Sequence, residues 1–131
     1  MLGPEHPDTA ASLHNLALLL HAQGDFVGAR PLFERVLGIN EKASGPAHPV
    51  TNYVRTNLSR LLLTCGQPTE ALALGEAALT AYAKLLGLDH AWTQDSARVT
   101  ADALDALGRS EEAKALREQY GVTEPEKPKS S

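Results

Sequence analysis

Residues 2–43 decide the fold, and they read LGPEHPDTAASLHNLALLLHAQGDFVGARPLFERVLGINEKA. The same pattern begins again at Ser44 and, less completely, at Leu86. Five positions keep one residue in all three copies, at an interval of 42 residues. They are Gly3, Gly45 and Gly87; His6, His48 and His90; Thr9, Thr51 and Thr93; Gly24, Gly66 and Gly108; and Ala29, Ala71 and Ala113. A fixed period of this size predicts a stack of one repeated supersecondary unit.

Each copy is predicted to form two antiparallel helices joined by a tight turn. In the first copy Leu13, Leu16, Ala17 and Leu20 recur at helical spacing, which predicts one apolar face that packs inward. Gly24 then provides a helix stop, and its counterparts do so in the other copies. We therefore expect an all-α solenoid of six helices in three hairpins.

The three hairpins should occupy about residues 2–43, 44–85 and 86–121, which together form one repeat domain over residues 1–121. Residues 122–131 contain two prolines and are otherwise mostly charged or small polar residues. That composition predicts a disordered tail that contributes nothing to the core.

Three residues depart from the repeat and carry their own predictions. Pro31 lies inside the second helix and predicts a bend or a loosened first turn there. Gly75 stands where the first copy has Phe33, so it allows close helix approach or leaves a gap for a neighbouring side chain. Cys65, near a helix end, is predicted to be a small buried filler.

Composition excludes several classes of function. The chain has 131 residues and a net charge of -4, whereas nucleic-acid binding needs a concentrated basic surface. Its longest apolar run, residues 16–20, is far too short to span a membrane. The single cysteine allows no internal disulfide and fits a reducing compartment, so we expect a cytoplasmic protein.

The chain resembles the tetratricopeptide repeat family in its 42-residue, kinesin-light-chain-like form. The residues that carry the resemblance are Leu16, Ala17, Leu20, Gly24, Phe26, Ala29, Phe33 and Val36 in the first copy; Leu58, Leu62, Gly66, Ala71 and Ala78 in the second; and Ala101, Leu104, Gly108 and Ala113 in the third. The resemblance implies a right-handed superhelix whose concave face, lined by each first helix, binds an extended peptide or a partner's helix. It implies a non-catalytic scaffold without a cofactor.

Helical spacing selects a candidate peptide-binding groove on the first helix of each copy, away from most of its leucines. These residues are His14, Asn15, Leu18 and His21; Tyr53, Thr56, Asn57, Arg60 and Thr64; and Val99, Asp102 and Asp105. The charge changes along this set, which predicts a ligand with both charged and apolar character.

Asn15 and Asn57 occupy the same position in two copies, and asparagine is a mediocre residue for a helix interior. The family resemblance implies that they bond the backbone of a ligand. The alternative is that each bonds the adjacent helix or connection, and both interpretations stay open at this point.

Histidines and acids offer no catalytic or metal site. His14 and His21 lie about 10 Å apart along a helix, too far for one metal ion, and are interpreted as polar groove residues. His6, His48 and His90 are interpreted as caps of local backbone. No nucleophile elbow or phosphate loop occurs, so an enzyme is not expected.

Trp92, the only tryptophan, has two interpretations. Either it packs under the connection between hairpins or covers the end of the array, or it marks a contact with another chain, since aromatic residues are enriched in interface hot spots. The expected partner of the chain is a protein or peptide. The alternative is self-association into a homo-oligomer, in which Leu13, Leu19 and their neighbours on the first helix are exposed.

Overall fold

The computed structural model of the chain describes residues 7–122, which contain six α-helices and no strand. The helices are α1 (Pro7–Ala22), α2 (Phe26–Ser44), α3 (Pro49–Thr64), α4 (Pro68–Leu86), α5 (Ala91–Ala106) and α6 (Ser110–Tyr120). They form three consecutive hairpins, α1–α2, α3–α4 and α5–α6, stacked as an α-solenoid. The prediction of an all-α fold with three hairpins is confirmed.

The turn inside each hairpin follows from one glycine. Gly24, Gly66 and Gly108 have φ of +83°, +78° and +77°, a left-handed conformation that other residues adopt only at a cost. In the first hairpin the N–H of Asp25 then donates to the Leu20 carbonyl at 2.8 Å. These three glycines therefore predicted correctly where the first helix of each hairpin ends.

The recurrence of histidine at the 42-residue interval also has a local cause. Nδ1 of His48 accepts the N–H of Val50 at 3.1 Å, and Nδ1 of His90 accepts the N–H of Trp92 at the same distance. These histidines cap α3 and α5, as predicted, while His6 lies outside the described residues. The Thr51 hydroxyl donates to the Gly45 carbonyl at 2.9 Å and so fixes the connection between hairpins.

The core continues from one hairpin to the next. Helix α3 packs against α2, α4 and α5, while α1 packs mainly on α2 and α6 on α5. One cluster of buried side chains therefore spans all three hairpins, and it includes Ala17, Phe33, Val36, Leu61 and Ala101. Such a stack has no single centre, because each hairpin buries its apolar surface against its neighbours.

Two predictions about burial are wrong. Leu16 was expected to face inward, but 44% of its surface is exposed, whereas Leu13 is partly buried against the core. Cys65 was expected to be a buried filler, but it is exposed at the C-cap of α3. Both residues lie at the edge of the apolar face of their helix. Whether such a residue is buried depends on which neighbouring helix packs there, and the sequence of one helix does not show this.

Pro31 and Gly75 have different consequences for α2 and α4. Helix α2 continues through Pro31 from Phe26 to Ser44. Gly75 is buried, and a Cβ added to it would lie 2.6 Å from Oγ1 of Thr100 and 3.3 Å from Oγ of Ser59. The side chains of Thr100 and Ser59 therefore fill the space at Gly75, and the Cα of Thr100, 3.4 Å from the added Cβ, shows that α5 also approaches closely, so both predicted alternatives apply.

The array ends on an ordered residue. Gly121 has φ of +65° and ends α6, and the N–H of Val122 donates to the Arg117 carbonyl at 3.0 Å. Val122 is only 6% exposed and packs in a small cluster with Leu79, Ala97 and Tyr120. The prediction that residues 122–131 add nothing to the core is therefore wrong at Val122, and residues 123–131 lie outside the described part of the chain.

Candidate functional site

A continuous series of ring contacts links the three hairpins. His21 contacts Phe26 and Phe33, and His14 contacts Phe33 and Tyr53, all in edge-to-face arrangements with centroids 5.4–6.5 Å apart. The series continues from Tyr53 to Trp92. Edge-to-face and offset ring pairs at such distances are favourable beyond the apolar area that they bury. The rings thus form a connected series across α1, α2, α3 and α5, part of which is buried.

Tyr53 and Trp92 are the exposed part of this series. Their rings are stacked, with centroids 6.1 Å apart and an interplanar angle of 20°. They remain 39% and 45% exposed, although Tyr82 supports Trp92 from below at a centroid distance of 6.0 Å. Tyr82 itself is buried, and its hydroxyl donates to the Pro49 carbonyl at 3.0 Å. The stack is therefore a rigidly supported aromatic platform between the second and third hairpins.

An ion pair lies beside the platform. Arg60, two turns after Tyr53 on α3, donates through Nη2 to both carboxylate oxygens of Asp95 at 2.9 and 2.8 Å. Both side chains are about two-fifths exposed. Arg60 also donates to Oδ1 of Asn57 at 3.0 Å. We call the surface formed by Tyr53, Arg60, Thr64, Trp92 and Asp95 the groove face, and Thr64 extends it as an exposed residue.

Asn57 does not present a free amide on this face. It is 5% exposed, its amide oxygen is bonded to Arg60, and its amide nitrogen is 3.1 Å from Nε2 of His14. Asn57 therefore joins α1 to α3, and the expectation of a free ligand-binding amide at this position is wrong. Its counterpart Asn15 is exposed.

Two other predicted groove residues lie inside the stack of first helices. Thr56 is 2% exposed and shares a 2.7 Å hydrogen bond with the Ser96 hydroxyl, and Val99 is 4% exposed. Thr56 belongs to the contact between α3 and α5, and the Val99 side chain is buried, so the prediction that these two residues line the groove is wrong. Helical spacing selected too many positions on the first helices, because neighbouring first helices cover the residues at both edges of the predicted groove.

The two predicted groove histidines are largely apolar in character. Burial lowers the pKa of His14, which is half-buried between Phe33 and Tyr53. Burial, and secondarily the charge of Arg60, lowers the pKa of His21. Both pKa shifts favour the neutral imidazole. Leu18 is half-buried beside them.

Asp102 and Asp105 are engaged by α6. Nη2 of Arg117 contacts Oδ1 of Asp102 at 2.8 Å and Oδ2 of Asp105 at 2.7 Å, and Arg117 is 4% exposed. Burial raises the pKa of Asp102, while Arg117 acts in the opposite direction. These two acids thus join α5 to α6. The predicted change of charge along the groove is largely compensated by ion pairs within the chain.

Sequence reasoning left two residues out of the site, Trp92 and Asp95. Asp95 stands 42 residues after Tyr53, so the repeat period could have identified it. Trp92 lies in the first turn of α5, and no signal in the sequence showed which neighbouring hairpin its ring would contact.

Within residues 7–122, no three His, Cys, Asp or Glu side chains come together as a group that could hold a metal ion. None of the six described helices combines the length and the apolar composition that crossing a membrane requires.

Two family models for the tetratricopeptide repeat match the chain, at residues 9–50 and 50–120. The chain belongs to the tetratricopeptide repeat family. Its repeats are of the kinesin-light-chain-like form, because the similar proteins found in the comparisons carry that description. Repeats of this family are in general non-catalytic scaffolds for protein interaction.

A curated relative is the protein KINESIN LIGHT CHAIN-RELATED 3 of Arabidopsis thaliana, 37% identical over 67 residues, which cover 51% of this chain and 10% of that protein. A crystal structure of a Podosopora anserina putative kinesin light chain with nearly identical TPR-like repeats superposes with a TM-score of 0.85 at 34% identity. That match covers 92% of this chain and 57% of the other. The chain thus spans a tenth of the curated relative and little more than half of the solved structure.

The fold extends to a more distant protein. BtubC (BKLC) from P. vanneervenii has a TM-score of 0.75 at 20% identity, over 97% of this chain and 54% of that one. At this identity the likeness concerns the fold alone.

Proposed function

We propose that the chain is a non-catalytic scaffold module that binds an extended peptide or a helix of a partner protein on its groove face. The observation that carries this proposal is the exposed Tyr53–Trp92 stack, which is supported from below by Tyr82. Large aromatic side chains supply much of the energy of protein interfaces when they are held in place before binding.

We also propose that the protein is located in the cytoplasm, and this proposal rests on its single cysteine alone.

The chemistry of the groove face suggests what the ligand brings. The Tyr53–Trp92 platform favours a flat apolar or aromatic side chain, because ring stacking rewards planar partners. The Arg60–Asp95 pair lies beside it with both members about two-fifths exposed, so either one can exchange its partner for a ligand charge of opposite sign. The ligand is therefore a segment with apolar and charged residues close together in sequence.

The proposal is tested by selecting peptides from a displayed random library on the 131-residue chain and measuring their affinity by fluorescence polarisation of the labelled peptide. Tyr53→Ala and Trp92→Ala should each lower the affinity for the selected peptides at least about tenfold, as expected for a hot-spot residue. Because Trp92 is the only tryptophan, its emission in the unaltered chain should also change on binding.

Val27→Ala is the matched control, since Val27 is an apolar residue on α2 that is 88% exposed and makes no part of the groove face. Trp92→Phe should retain much of the affinity because it keeps a ring at the platform. Equal affinity of the selected peptides for Trp92→Ala and the unaltered chain, with helicity preserved in both, would place binding elsewhere and refute the proposal.

A second candidate function is self-association, and one observation favours it. Leu16 and Leu19 on α1 are 44% and 54% exposed, although they belong to an otherwise well-packed helix. Contiguous exposed leucines are typical of protein contact surfaces.

A further inference from the structure

A cavity of about 260 Å³ lies between the first and second hairpins. Helices α1 and α2 and the first turn of α3 line it, and Ala10 and Val36 contribute apolar surface to its wall. Ala11 and Val50 also line it and are themselves exposed, so the cavity opens to solvent beside them. It is therefore accessible to a ligand without any movement of the helices.

The junction between the second and third hairpins shows what the same place in the fold can hold. Three residues that line the cavity have an aromatic counterpart 42 residues later. The pairs are Ala11 and Tyr53, Asn40 and Tyr82, and Val50 and Trp92. These counterparts are the two rings of the platform and the buried ring that supports it. The cavity thus corresponds to the space that the next junction fills with aromatic rings.

Asn40 gives the cavity a polar group without a partner. The residue is only 6% exposed, and its backbone carbonyl accepts the Thr51 hydroxyl at 3.3 Å. Within residues 7–122 its side-chain amide makes no hydrogen bond. A buried amide in this condition is unfavourable, so a ligand that bonds to it is favoured. A hydroxyl suits the amide well, because it can donate to the amide oxygen or accept from the amide nitrogen.

His14 adds an aromatic wall to the cavity. Its ring contacts Phe33 and Tyr53 edge to face, at centroid distances of 5.7 and 5.4 Å. Its Nε2 lies 3.1 Å from the amide nitrogen of Asn57, so the ring is held from α3 as well. A ring bound in the cavity would become a further member of the series of ring contacts, which is favourable beyond the apolar area that it buries.

We infer that the cavity binds the phenol ring of a tyrosine in the partner segment. A phenol combines a flat ring with a hydroxyl for the amide of Asn40. The size is sufficient, because an apolar cavity of about 150 Å³ already holds benzene. The mouth at Val50 lies three residues before Tyr53 on α3, so a segment on the groove face can reach it. The inference rests on the proposed function for the source of the ring, but the cavity itself can be tested without a peptide.

The probe for the cavity is p-cresol, the side-chain analogue of tyrosine, and toluene is the matched probe that lacks the hydroxyl. Two-dimensional NMR of the 131-residue chain should show saturable shifts of the backbone signals of Ala11, Asn40 and Val50 on addition of p-cresol. Asn40→Leu removes the amide and keeps the wall apolar. The ratio of the p-cresol affinity to the toluene affinity should therefore fall roughly 2–10-fold, as expected for one hydrogen bond.

Val50→Trp introduces the residue of the third copy and should fill the cavity. The affinity for p-cresol should then fall at least about tenfold, because a filled site has no room for a second ring. Asn40→Tyr fills the cavity from α2 and serves as the second variant if Val50→Trp does not fold. Val27→Trp adds the same side chain at an 88% exposed position on α2 and should leave p-cresol binding unchanged.

The source of the ring is tested by peptide selection. Peptides selected on the unaltered chain should be enriched in tyrosine relative to peptides selected on the Val50→Trp chain. Equal tyrosine content in the two sets would overturn the assignment to a partner segment, even if p-cresol binds. Absence of saturable p-cresol binding, or equal binding to the Val50→Trp chain, would overturn the cavity as a phenol site. Neither result bears on the groove face, which Tyr53→Ala and Trp92→Ala test separately.

Discussion

The contact between Gly75 and Thr100 gives the sharpest test of how the second and third hairpins pack. A Cβ at position 75 would lie 2.6 Å from Oγ1 of Thr100, a distance at which one of the two groups has to move. The Thr100 hydroxyl donates to the Ser96 carbonyl at 2.7 Å, so it can turn away only by losing that bond. Gly75→Ala should therefore destabilise the chain, although alanine is the better helix former.

Gly38 in α2 provides the matched control, because a Cβ there would meet nothing within 4 Å. Gly38→Ala should gain about 1 kcal/mol in the free energy of unfolding from helix propensity. Gly75→Ala gains the same amount but loses about 1–3 kcal/mol to overpacking, so its net change is about 0–2 kcal/mol in the destabilising direction. The two variants should thus differ by about 1–3 kcal/mol.

Urea unfolding followed by circular dichroism measures both variants under the same conditions. For a chain of this length the difference corresponds to about 3–15 °C in thermal midpoint. Thr100→Ala should relieve most of the cost of Gly75→Ala, and a double-mutant cycle reports that coupling. Equal stabilisation by Gly75→Ala and Gly38→Ala would refute the close approach of α4 and α5.

Three further predictions concern the third hairpin and the residue that follows it. Arg117→Met should lower the free energy of unfolding by about 1–3 kcal/mol at pH 7, because it removes charged hydrogen bonds from two acids that are only partly exposed. Since burial raises the folded pKa of Asp102 above 3.8, the folded state releases its proton later than the unfolded state, and stability should fall as pH rises through that window. The fall should be larger in Arg117→Met and disappear with Asp102→Asn, as unfolding curves at a series of pH values can check. Val122→Ala should cost about 1–2 kcal/mol, whereas truncation after Val122 should leave the thermal midpoint within about 1–2 °C in calorimetry.

The helices could be predicted from the sequence because their limits are local properties. Gly66 ends the first helix of the second hairpin whatever surrounds it, and Pro68 can begin the next one since its missing N–H is not needed there. Because the pattern recurs every 42 residues, the same helix ends could be predicted in the other two copies. Helix bounds and hairpin number therefore required no knowledge of tertiary contacts.

The groove could be predicted only in part, because its limits depend on neighbouring helices. Helical spacing placed Asn57 beside Arg60, and this is correct, but α1 covers Asn57 through the contact with His14. Thr56 is covered in the same way by Ser96 of α5. The angle at which one first helix follows another decides which edge of the stripe is buried, and a single sequence does not contain that angle.

The remaining differences between the copies are concentrated where hairpins meet or face solvent. Gly75 and Thr100 replace the larger Phe33 and Leu58 of the preceding interface, so the second and third hairpins approach more closely than large side chains allow. At another position the copies carry Ala11, Tyr53 and Asp95, and this position makes the groove face different in every hairpin. The residues that recur every 42 positions are those that form the hairpin. Specificity for a partner therefore has to come from positions at which the three copies differ. A chain in which Tyr53 is replaced by alanine, the residue of the first copy, should therefore keep its fold and lose its ligand.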